Sequence, residues 1–300
     1  MSNRSRPQSR HSRIVRRALV PVLAASLALA TSASAHDFWI IPDVFAFAPD
    51  SMIHLSGRAG THFPAGTAVQ PTRIADARLI GAASQTKITQ MSVEGTSLRL
   101  HEQPPAAGQY VVAVSLISTP SRSTTTGLLH FLRVEGGSTE AARLEGANAL
   151  AGQDSLTFQA TSYATAIIQV GRGGPRAFAV STGLPLEFVP LNDPGHLHVG
   201  DTLHVKVVGG GKPVANIGVY GGPAIDSAMA ARAPAGAPGV PNTSVTMTAD
   251  ANGILHLPVT TAGAWNLRAA YVYHRPGAQP SEWSIARTTY VFGVGASHAH

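Results

Sequence analysis

Apolar and polar residues alternate in short runs along much of this 300-residue chain, and a period of two restricts those runs to β-structure. Leu203, Val205 and Val207 share one face of a strand, with Thr202, His204 and Lys206 on the other. Trp265, Leu267, Ala269, Tyr271 and Tyr273 line one face of a second. No long stretch repeats every 3.6 residues. Between the two runs, residues 249–253 end in Asn252-Gly253, a pair suited to the positive φ angles of a tight hairpin. An antiparallel sandwich is the expected form of the C-terminal part.

The same pattern occurs twice. Leu98-Arg99-Leu100-His101, followed by Ala107-Gly108-Gln109-Tyr110, is matched by Gly253-Ile254-Leu255-His256, followed by Ala262-Gly263-Ala264-Trp265. Asp50-Ser51-Met52-Ile53-His54-Leu55 is matched in turn by Gly200-Asp201-Thr202-Leu203-His204-Val205. Each half thus carries an alternating strand and later a strand, a Gly turn and an aromatic strand. With roughly 100–200 residues per domain, the expected fold class is all-β. It comprises two tandem immunoglobulin-like β-sandwich domains, over 36–172 and 173–295, with a short helical or irregular connection. In that connection, residues 140–147 favour a helix and residues 166–170 a strand. The Gly-, Pro- and Ala-rich stretch 221–242 reads as a loop on the second domain.

Residues 1–35 have another character. Six arginines, Arg4 to Arg17, precede an apolar run from Ala18 to Ala30 and a small-x-small site at Ala33-Ser34-Ala35, the plan of a cleaved signal peptide. A run that short falls below the ~20 apolar residues a spanning helix needs. The general secretory route is expected, although Arg16-Arg17 leaves a twin-arginine route open. Export to the periplasm follows.

Cleavage would also remove six of the chain's 22 Lys and Arg, leaving 16 against 16 Asp and Glu. A formally neutral mature chain has no cationic face for nucleic acid. The chain contains no cysteine, so a metal site must use nitrogen and oxygen donors.

A cut after Ala35 makes His36 the first residue. Its α-amine, with a pKa near 8, and its imidazole can chelate one ion together, the metal displacing the amine proton. One further imidazole completes a three-nitrogen brace suited to Cu(II), Ni(II) or Co(II). His62, in the turn Gly60-Thr61-His62-Phe63-Pro64, and His274, at a strand end beside Arg275-Pro276-Gly277, are the candidates for it. His54 opposes Ile53 and Leu55 on its strand and reads as exposed rather than ligating. His130 has no partner nearby in sequence. His196 and His198 follow a turn signal at Asn192-Asp193-Pro194-Gly195 and read as loop residues. His298 and His300 belong to a flexible tail over 296–300.

His36-Asp37-Phe38-Trp39-Ile40-Ile41-Pro42, the segments Tyr163 to Gly171 and Gly183 to Pro190, Gly200-Asp201-Thr202-Leu203 and Gly211-Lys212-Pro213-Val214 stand in an order that resembles a bacterial periplasmic family. That family is catalogued as domain of unknown function 4198 and linked to periplasmic components of nickel and cobalt uptake. The resemblance implies an envelope β-sandwich protein that binds a transition metal through its processed N-terminal histidine. Its partner would be an inner-membrane importer or an outer-membrane receptor.

An enzyme is not expected. An N-terminal histidine with a second histidine and an axial Tyr271, Tyr273 or Tyr290 also suits copper-dependent oxidative chemistry, but three Trp give little aromatic display for a sugar. Neither a Gly-x-Ser-x-Gly elbow nor a His-Glu-x-x-His helix is present. A metal-free spacer or interaction module of the envelope is the alternative.

Overall fold

A computed structural model describes residues 36–134, 137–224, 245–274 and 277–295. The signal peptide expected over 1–35, the tail expected over 296–300 and most of the loop expected over 221–242 lie outside the described residues. The N-terminal half runs through β1 (Asp37–Pro42), β2 (Ala46–Phe47), β3 (Ile53–Gly60), β4 (Thr67–Ala68) and β5 (Ile74–Ile80). It continues through β6 (Gln85–Lys87), β7 (Gln90–Glu94), β8 (Ser97–Glu102), β9 (Gly108–Leu116) and β10 (Thr119–Thr124). Two helices, α1 (Thr125–Val134) and α2 (Ser138–Gly146), precede the longest strand, β11 (Ser155–Val170). The remainder comprises β12 (Leu186–Pro190), β13 (Thr202–Gly209), β14 (Lys212–Pro213), β15 (Gly218–Pro223) and β16 (Val245–Thr248). It closes with β17 (Ile254–Pro258), β18 (Gly263–Tyr273) and β19 (Glu282–Val294).

The architecture is an all-β sandwich. A sheet ordered β1-β3-β8-β7, with β4 beside β3, covers one side of a ten-stranded middle sheet, β16-β15-β18-β19-β11-β9-β5-β6 with β2 and β10 also paired to β11, and a sheet of β12, β13, β14 and β17 covers the other. Side-chain alternation along β11 separates two cores. Ala164, Ala166, Ile168 and Val170 face a core built with Phe38, Trp39, Leu55 and Leu100. Tyr163 and Ile167 face one built with Leu203, Val205, Leu255 and Trp265. Coverage on both faces explains why β11 alternates only in its first half and is then almost continuously buried.

The two halves share that sheet. β11 and β19 pair in parallel from Thr157↔Glu282 to Ala166↔Val291, and the described residues all belong to one compact unit. The boundary expected at 172/173 falls where the chain leaves β11 for the smaller C-terminal sheet. The helix expected at 140–147 corresponds to α2, and α1 is additional. Leu128 and Leu132 on α1, one turn apart, meet Ala141 and Leu144 on α2 and close a third core over Leu156, Phe158, Val272 and Trp283. No helix among the described residues is long and apolar enough to cross a membrane.

One local expectation is corrected. The turn at 249–253 does not join a hairpin, because β16 pairs with β15 in the middle sheet whereas β17 pairs with β13 in the C-terminal sheet. The Asp250 carboxylate accepts from the main-chain N–H groups of Asn252 (2.8 Å) and Ile254 (2.7 Å), and Gly253 alone there has a positive φ, +72°. A side-chain-capped turn therefore carries the chain from one layer to the next.

Candidate metal centre

The site expected at His36 is built on the first strand. β1 pairs antiparallel with β3, and their last partners are Asp37↔Gly60. Asp37 is only 2 % exposed, because its strand end lies against the middle sheet. There β15 and β18 set Tyr220 opposite Arg268. The Asp37 carboxylate accepts from Arg268 Nη1 (3.2 Å) and from the Tyr220 hydroxyl (3.3 Å). Arg268, itself 1 % exposed, also donates to the Thr61 carbonyl (3.1 Å), and its guanidinium lies 4.6 Å from the Tyr220 ring centre. Thr289 Oγ1 donates to the Phe38 carbonyl at 2.7 Å. Burial first, and then the Asp37 charge, push the Tyr220 phenol well above its usual value, so at neutral pH it is a donor. This network ties the start of β1 and the end of β3 to one arginine.

His36 stands one residue beyond the last pair, half-buried. Continued register places it opposite Thr61, and His62 is the next residue of the turn, exposed, with Nδ1 3.0 Å from Thr61 Oγ1. The fold therefore brings His36 and His62 to one end of the first sheet. His274 is elsewhere. It follows β18 at Tyr273, and the strand from Arg268 to Tyr273 spans ~17 Å at ~3.3 Å per residue. Its ring packs 3.6 Å from that of Trp283, with Nδ1 2.9 Å from the Glu282 carbonyl.

The other histidines fall as follows. His130 is exposed on α1. His196 ends a short 3₁₀ turn capped by Asp193, whose carboxylate lies 3.0 Å from its Nδ1, as the Asn-Asp-Pro-Gly signal implies. Tyr290, named above as an axial candidate, pairs with Leu267 and shares its core, whereas Arg268 and Asp37 lie on the other face of the sheet. Among the described residues no three His, Asp or Glu side chains converge, so the first-strand site offers two imidazoles and whatever the main chain adds.

His54 departs from its reading as a simply exposed residue. It is half-buried against His101, and an equivalent pair joins His204 to His256. The internal repeat had aligned these four residues two by two. The contact itself depends on strand register, which no spacing in the sequence states.

The family model described as "Domain of unknown function (DUF4198)" matches residues 33–273. The chain belongs to that family. The match begins just before His36 and runs to the last residue of β18, so both outer sheets and most of the middle sheet are family structure. No curated protein matches this DUF4198 member. Among solved structures, murine CEACAM1b is 9 % identical at a TM-score of 0.20, covering 87 % of this chain and 100 % of its own. A DUF4785 family protein from Legionella pneumophila is 7 % identical at a TM-score of 0.24, covering 77 % of this chain and 52 % of its own. A Salmonella alpha-2-macroglobulin mutant is 10 % identical at a TM-score of 0.20, covering 87 % and 16 %. Scores at that level carry no argument about this chain.

Proposed function

We propose that this protein is an exported carrier of a divalent transition metal, held at a processed N-terminus by the α-amine and ring of His36 with the ring of His62. The observation that supports this reading is the anchoring of Asp37 by Arg268 and Tyr220, which fixes the chain one residue after His36. The same arginine holds the Thr61 carbonyl, one residue before His62. Asp37 is committed to Arg268, so the donors left are nitrogens, which suit Ni(II), Co(II) or Cu(II) better than Mg or Ca. Nickel or cobalt as the cargo, the periplasm as the location, and delivery to an inner-membrane importer or outer-membrane receptor extend the reading along the family resemblance.

Mass spectrometry of the exported protein should find His36 as the first residue. Calorimetric titration with Ni(II), Co(II) and Cu(II) then compares that protein with one carrying a single extra residue before His36. The processed chain should bind one equivalent tightly that the extended chain loses. Equal affinities would remove the α-amine from the site.

A further inference from the structure

We propose that each half of the molecule also carries a cross-strand histidine clip, His54–His101 in the first and His204–His256 in the second, that binds a divalent transition metal through two convergent Nδ1 atoms. The inference needs neither cleavage before His36 nor the α-amine.

Strand register builds both clips. β3 pairs with β8 so that His54 faces His101, and β13 pairs with β17 so that His204 faces His256. The main chain of each central-strand histidine is turned the other way. The His54 carbonyl accepts from the Asp43 N–H (3.0 Å), and the His204 carbonyl from the Leu191 N–H (2.8 Å). A residue of an antiparallel strand directs its N–H and C=O to one neighbour. Both histidine pairs are therefore of the non-hydrogen-bonded type, in which Cα atoms approach to ~4.5 Å and side chains lie closest.

The rings then meet in nearly the same way twice. In each pair the Nδ1 atoms are 2.6 Å apart and the ring centres 4.8 Å apart, with interplanar angles of 77° and 78°. Two such nitrogens cannot both carry a proton at that separation. Either they share one in an N–H···N bond, or a cation takes its place. Two imidazoles on adjacent coordination positions, each ~2.0–2.1 Å from the metal, stand ~3 Å apart, so the pair need open by only a few tenths of an ångström.

Position favours the cation. His54 alternates with the core residues Ile53 and Leu55, and His204 with Leu203 and Val205, so both clips lie on outward faces where water or a partner can fill the remaining positions. A carboxylate stands near each clip, since Asp43 is bonded through its N–H to the His54 carbonyl and Asp250 accepts from the Ile254 N–H at the start of the strand that carries His256. His204 also borders an open cleft of about 380 Å³ lined by Asp193, Asp201, His196 and Arg176, so the second clip is reached directly from solvent. Imidazole pairs of this kind take Cu(II), Ni(II) or Zn(II) in preference to Mg or Ca.

The test uses the full chain carrying His36→Ala, His298→Ala and His300→Ala, so that neither the chain start nor the tail contributes. Titrated with Cu(II) and followed by calorimetry and electron paramagnetic resonance, this protein should take up two equivalents with nitrogen-coordinated spectra. Adding His101→Ala should leave one, and adding His256→Ala as well should leave none. The same series with glutamine keeps both positions polar and should give the same counts, with circular dichroism unchanged from the parent. No uptake by the parent, or two equivalents persisting after both clips are removed, overturns the proposal. A processed wild-type chain beginning at His36 that binds no more than the same processed chain carrying His36→Ala defeats the N-terminal reading, while two remaining equivalents support the clips.

Discussion

Arg268 is the residue on which the first-strand site depends. Its guanidinium is buried 3.2 Å from the Asp37 carboxylate, so removing that carboxylate takes away a charge partner as well as a contact. Asp37→Ala should therefore cost about 3–5 kcal/mol of stability, measured by urea unfolding. Tyr220→Phe, which removes one hydrogen bond and keeps the ring under Arg268, should cost only about 1 kcal/mol. Acidification acts at a different carboxylate. The hydrogen bond from Arg99 holds the Asp43 carboxyl below the usual range against the opposing effect of burial. A depressed folded-state pKa contributes stability above the unfolded value of about 3.9 and loses it as pH falls through the folded value. Asp43→Asn should thus flatten the fall of the urea midpoint below about pH 4, modestly, since this pair is screened by water. His36 draws notice in the sequence because a leader-like segment and a histidine adjoin there, whereas the buried role of Asp37 beside it does not show. Nor was Arg268 legible, because nothing in the alternation of β18 marks which polar residue faces inward to a partner 231 positions away.

Elements meet tightly where the site is made. A Cβ on Gly60 would lie 2.7 Å from the Ala65 carbonyl oxygen and 3.1 Å from Gly66 Cα, so the turn bearing His62 folds directly back on the end of β3. Gly60→Ala should cost about 1–3 kcal/mol and weaken metal uptake at the chain start, which paired urea and calorimetric measurements would show. At the other end of β18, Glu140 of α2 is 3 % exposed and accepts from the Val272 N–H (2.6 Å) as well as from Arg143 (2.6 and 2.7 Å). The strands β13 and β18 were readable from a period of two, and α2 from its composition. α1 escaped notice because its ten residues open with Thr-Thr-Gly and its apolar residues, Leu128, Leu129, Phe131 and Leu132, crowd into one run too short to show a helical period. The turn at 249–253 misled for a different reason. Asn-Gly marks a reversal of direction, and only the sheet assignments of β16 and β17 show that the reversal crosses between layers.

At the scale of the molecule, the duplicated pattern is visible in the sequence, yet the halves are joined by the pairing of β11 with β19, which no repeat could disclose. The three tryptophans report on this union, because Trp39, Trp265 and Trp283 each sit in a different one of the three cores. In each variant retaining one tryptophan, fluorescence and far-ultraviolet circular dichroism should give coincident urea midpoints, as one cooperative body does. Separated midpoints would instead mark independently folding halves. The seam also orders events in time. Synthesis delivers β11 before its parallel neighbour β19, so the chain passes through an interval in which that flank of β11 is open and adhesive. Chains cut short before Glu282 would keep that flank permanently and should collect as aggregates, whatever else in them has folded.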